Sequence, residues 1–228
     1  MEKSEALMNA MQNAIDTRIP GISLVASSIV AVAAMAHHPT ASGGGDFAAF
    51  ARSVERMAAV NQAVHGAMIV LVAVLTWTLL VFAARRGFHR PLVTAGIVAW
   101  SIGAVVAIIG PVFNGFVIVD IGRRALASPD TADILRVTLQ TLSSGVGVMV
   151  MIGTIGMSLA VFLWSADLAR DRGPVRWTGV LGLVAGAGLV VALPAEIGRL
   201  DLTGMTLVVV VWTVWFLALG TLMIQRKV

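Results

Sequence analysis

From Pro91 to Val119 the chain reads "PLVTAGIVAWSIGAVVAIIGPVFNGFVIV", without one Asp, Glu, Lys, Arg or His. A helix of that length exceeds the ~30 Å hydrocarbon layer of a bilayer at about 1.5 Å per residue. Five other uncharged stretches behave alike: Pro20–Ala36, and runs within Val60–Ala84, Thr141–Ser165, Trp177–Pro194 and Leu202–Ile224, where His65 is the lone titratable residue. A backbone crossing lipid must satisfy its own hydrogen bonds, so continuous apolar runs of this kind fold as helices. The expected fold is an all-α polytopic membrane protein with six transmembrane helices. Only 12% of the residues are charged, about half the share of a soluble domain.

The charges between the runs set an expected orientation. With the N-terminus inside, residues 1–19, "ARRGFHRP", "ADLARDRGPVR" and "QRKV" carry ten of the sixteen Lys and Arg residues. The positive-inside rule then places both termini in the cytoplasm. Arginine dominates lysine, and alanine, valine and glycine abound, a bias associated with bacterial genomes; the expected location is the bacterial inner membrane. The basic residues form short clusters between spans and no recognition stripe, which argues against nucleic acid. Cysteine is absent, which removes disulfides, thiolate metal sites and cysteine nucleophiles. Tyrosine is absent too.

Residues 1–18 read as an interfacial amphipathic segment, with Leu7, Met8, Met11 and Ile15 at helical spacing, and 19–228 as one six-helix domain. "AVAAMA" before His37 has the small-residue spacing of a signal-peptidase site. The long, acid-bearing segment before it favours a retained span.

The two central hairpins suggest a duplication, spans two and three matching spans four and five. Asp46 caps an expected helix that continues through "FAAFARSVERMAAVNQAVHG" into span two. Ser128-Pro129-Asp130 supplies a cap, an N1 proline and a first-turn acid for a helix entering span four. Pro111 and Pro194 stand at the same offset as Asp46 and Pro129.

Ionisable groups at membrane depth are costly and by default face protein or water. On this topology His37 and His38 end span one at the outer surface, and His65 lies about 8–10 Å down span two from the same side. Asn61 is one turn from His65 on the same helix face, and Asn114 follows the Gly110-Pro111 break near the outer end of span three. Glu196 follows Pro194 at the outer end of span five.

Three histidines and a carboxylate at one level point to a metal centre, with His37, His38, His65 and Glu196 as ligands for a Zn, Cu or Fe ion. A b-type haem between two axial imidazoles is a second form of the same idea, with Asn61, His65 and Asn114 in its pocket and Gly66, Gly145 and Gly147 leaving room for the ring. The functional expectation is thus a metal or haem protein of the outer, periplasmic face with a redox or metal-handling role. Its alternative is a non-catalytic subunit or scaffold, or a binder of lipid or quinone with His65 and Asn61 as polar handles. A transporter fits less well, because the helix breaks lie toward one side and the other half of the membrane is nearly all apolar. Membrane lipid is the expected surrounding. The small-residue face "GLVAGAG" offers a packing surface for a membrane partner or a second copy. The tryptophans fall mostly near span ends and read as interfacial belts.

Overall fold

The computed structural model describes residues 15–39, 45–193 and 200–228. It is an all-α bundle with six helices long and apolar enough to cross a membrane. The chain is therefore a multi-pass membrane protein. Helix α1 (Arg18–Ala36) is the first span. A short α2 (Phe47–Arg56) precedes α3 (Ala58–Arg86), and α4 (Pro91–Val112) passes through a π turn (Phe113–Val117) into α5 (Ile118–Ala127). A single 3₁₀ turn (Pro129–Thr131) leads into α6 (Ala132–Leu168), followed by α7 (Pro174–Ala192) and α8 (Leu202–Ile224). Residues 1–14 of the interfacial segment expected over 1–18, the Pro194 break and Glu196 lie outside the described residues.

Glycine sets the helix order. A Cβ on Gly103 of α4 would sit 2.6 Å from the Met157 amide nitrogen of α6, and one on Gly153 would sit 2.7 Å from the Ala107 nitrogen. Backbones that close pack only through small residues. Gly179 and Gly186 of α7 meet the backbone of α6 in the same way, while Gly182 meets Ser165 and Trp215. Gly182 and Gly186 of the "GLVAGAG" stretch are thus used inside this chain. Helix α1 pairs with α8, with Gly21 against Gly220 and Met223, and Thr17 donates its hydroxyl to the Met223 carbonyl at 2.7 Å.

Two expectations about the helices change. The helix capped by Asp46, whose carboxylate accepts from the Ala48 amide, does not run on into span two. It stops at Met57, where φ −103° and ψ 4° place the backbone in the bridge region. This break lets α2 fold over α5. Val54 packs on Val119, and Arg123 bonds to Glu55 at 2.9 Å. The second expectation concerns tryptophan. Trp100, Trp164, Trp212 and Trp215 are buried in the bundle, and only Trp77 and Trp177 are exposed. Three of the buried indoles find acceptors: Trp164 the Val93 carbonyl, Trp100 the Thr76 hydroxyl and Trp212 the Ser158 hydroxyl. Near a span end in sequence, a large ring still contributes more by filling the core than by lying among headgroups.

At the end of the bundle away from the histidines, the clusters read only as topology signals form a buried ion network. Arg86 donates from Nε and Nη2 to Asp167 at 2.9 and 2.6 Å, and from Nη1 to Asp171 at 2.6 Å. Arg90 reaches Asp167 at 3.2 Å. The network ties the end of α3 and the start of α4 to the end of α6.

Candidate functional site

The site begins with a missing amide. Pro111 has no N–H to donate, yet α4 continues through it and relaxes into the π turn that follows. There the Ile118 amide bonds to the Phe113 carbonyl. In an α-helix it would reach the carbonyl of Asn114. That carbonyl instead accepts from the Asn61 side chain of α3 at 2.7 Å. The main-chain carbonyl of Asn61 in turn accepts from His65 Nδ1 at 2.8 Å.

This chain of bonds fixes the chemistry of His65. A carbonyl only accepts, so Nδ1 carries the proton and Nε2 presents a lone pair. Facing it is Nε2 of His38, 3.2 Å away, with the rings edge-on at a centroid distance of 4.8 Å. His65 is 2% exposed, and Gly115 of the π turn lies against it: a Cβ there would stand 2.5 Å from His65 Cβ. His38 sits in the loop just beyond α1. Its Nδ1 is buried and forms no hydrogen bond of good geometry, the Pro39 backbone being a marginal partner only. Burial lowers the pKa of His38 below the usual 6.5, and the Pro39 backbone offsets this only in part.

Of the expected ligands, then, His38 and His65 converge. His37 does not join them: it is exposed, and its Nδ1 turns back to the Ala33 carbonyl of its own helix at 2.9 Å. Among the described residues no group of three or more His, Asp or Glu side chains gathers at one point. Glu196 falls outside those residues. The Asn61 side chain and the Asn114 main-chain carbonyl also position His65, and both residues line the smaller cavity beside it.

The histidine pair forms a shared wall between two cavities. The smaller, about 190 Å³, is lined by His38, His65, Met57, Asn61 and Asn114 together with apolar side chains of α2 and α5. The larger, about 360 Å³, runs inward from the pair between α1, α3, α4, α6 and α8. Gly147, expected to leave space, lines it. An added Cβ at Gly145 or Gly147 would meet nothing within 4 Å. The cavity reaches Leu75, ten residues beyond His65 and so about 15 Å along α3.

Sequence reasoning found the two histidines and both asparagines because polar groups stand out in apolar runs. It missed Gly115, whose only signal is a glycine closely following a proline inside a span. It also missed the Arg86–Asp167 network, since loop charges look the same whether solvated or buried. No known protein family, characterised protein or solved structure matches the chain.

Proposed function

We propose that this membrane protein holds a transition-metal ion between His38 and His65 and serves a redox or metal-handling role. The observation that carries the reading is the 3.2 Å separation of the two Nε2 atoms. Imidazole nitrogens bound at about 2.0–2.1 Å stand about 3.3 Å apart at a tetrahedral ion and about 2.9 Å apart as cis ligands of a square-planar one. The pair falls between these values without rearrangement. The bond from His65 Nδ1 to a main-chain carbonyl is the outer-shell contact that metal-binding histidines use to fix their tautomer.

Neutral imidazoles without thiolates suit Zn, Cu or Fe. Two such ligands leave the ion's charge uncompensated within the membrane, a role suited to Glu196. The axial ligands of a b-type haem would stand about 4 Å apart at the same bond length. The present separation therefore supports a bare ion over the macrocycle.

Equilibrium dialysis of the detergent-solubilised protein against Zn(II), Cu(II) and Fe(II) tests the proposal. One equivalent of at least one ion is expected, lost in His38→Ala and in His65→Ala, weakened in Glu196→Gln and retained in His37→Ala. A folded wild-type protein that binds none of the three would refute it and leave a structural role for the pair.

A further inference from the structure

We propose that the ion carried by the histidine pair is Cu(I), its coordination completed by methionine thioethers from the cavity floor beneath the pair. The choice of ion rests on the His38–His65 site and narrows it to one metal and one oxidation state.

Helix register brings three sulfurs to one level. Helix α1 runs antiparallel to both α3 and α8. His38 meets His65, so the residues one turn further into the span, about 4.5 Å below, are Met35 on α1 and Met68 on α3. Against α8, Gly21 packs on Gly220 and Thr213 donates its hydroxyl to the Ser28 carbonyl. Continued outward at the same register, α8 places Met205 opposite Ala36, the last residue of α1. All three methionines line the 360 Å³ cavity whose wall also bears both histidines.

The pair leaves positions for them. Two Nε2 atoms 3.2 Å apart, each about 2.0–2.1 Å from an ion, subtend about 100° at it. That angle is close to tetrahedral and leaves one or two further positions open. Methionine is unbranched, with three rotatable bonds. A sulfur bordering open space can therefore swing toward the ion without moving the backbone.

Ligand chemistry then selects the ion. Thioethers are soft donors that select Cu(I), whereas zinc takes thiolate, imidazole or carboxylate and gains nothing from the floor. Imidazole and thioether are also both neutral. The cost of bringing an ion out of water rises with the square of its charge, so these ligands favour a monovalent ion over a divalent one.

The test is anaerobic competition with the Cu(I) complex of bicinchoninate, run beside dialysis against Zn(II). Wild-type protein should withdraw one Cu(I). Met35→Leu, Met68→Leu and Met205→Leu nearly conserve side-chain volume, so they remove sulfur without opening a cavity. Combined, they should weaken Cu(I) binding by at least the ~10- to 100-fold that even an outer-shell change costs, and leave Zn(II) binding unchanged. Met149→Leu, at an exposed position, is the control and should alter neither. Should the triple variant misfold, the copper-edge X-ray spectrum of Cu(I)-loaded, selenomethionine-labelled protein decides, with selenium expected among the copper's neighbours. No withdrawal of Cu(I), unchanged Cu(I) binding in a folded triple variant, an equal loss of both ions, or a copper shell without selenium would each overturn the proposal and leave the histidine site standing. Full retention of both ions in His38→Ala and His65→Ala would instead sink the histidine site itself.

Discussion

Replacing Gly115 with alanine isolates the positioning of His65 from its chemistry. The new Cβ would lie 2.5 Å from His65 Cβ and 3.1 Å from its Cγ, where carbon atoms in contact stand about 3.5–4.0 Å apart. The overlap is about 1 Å against an atom one bond from the backbone, so no flexible side-chain end can absorb it. Either α3 moves away from the π turn or His65 leaves its rotamer. Overpacking of this kind costs about 1–3 kcal/mol, and an ångström of displacement at His65 separates its Nε2 from that of His38. The expected outcome is a lowered melting temperature together with a 10- to 100-fold loss of metal affinity, the usual effect of disturbing a ligand's support. Gly66→Ala is the matched control. It adjoins His65, but its Cβ would meet only Phe116 Cζ at 3.9 Å, so affinity should hold. Thermal unfolding and dialysis on the two variants decide the matter. Unchanged affinity in Gly115→Ala, or an equal loss in Gly66→Ala, would refute the reasoning.

Further outcomes follow from other parts of the molecule. Asp167→Ala removes two of the three carboxylate bonds of the buried Arg86 guanidinium and leaves it Asp171 alone, which should cost about 3 kcal/mol; Asp171→Ala, at a position 34% exposed, should cost about 1 kcal/mol or less, and unfolding of both in detergent compares them. Asp46→Ala removes the cap of α2 and should cost about 1 kcal/mol locally, visible as faster amide exchange at Phe47–Phe50 with the spans unaffected. Because burial disfavours the charged form of His38, the folded state binds fewer protons than the unfolded chain once the pH falls to the usual imidazole range. Stability should therefore rise with pH through that range, flatten above about 6.5, and be lost on acidification. His38→Ala should flatten the acid side of a melting-temperature profile, and an unchanged profile would contradict the assignment.

The six spans were legible because lipid imposes one rule on every residue of a run: long, apolar and uncharged means helix. Asp46 was legible as a cap for a similarly local reason. What local pattern could not supply was the partner of each side chain. His37 and His38 are adjacent and chemically identical, yet one turns back onto its own helix and the other meets a residue of α3. That difference depends on where α1 ends relative to α3, which is fixed by contacts as distant as Gly21 on Gly220. Trp164 reads as a belt residue because sequence places it at the end of span four, and Trp215, nine residues inside span six, shares its fate. Their burial follows from the glycines opposite them, Gly96 and Gly182, whose missing side chains leave room for an indole. The π turn was foreshadowed by Pro111, but the carbonyl it redirects toward Asn61 becomes visible only in three dimensions.

The most direct test of the central claim is the X-ray absorption spectrum of the protein loaded with one equivalent of Zn(II) or Cu(II). The account predicts scattering from two imidazoles at about 2.0 Å, falling to one in any His65→Ala protein that still retains the ion. A bound ion whose spectrum shows no imidazole, or is unchanged by His65→Ala, would contradict it.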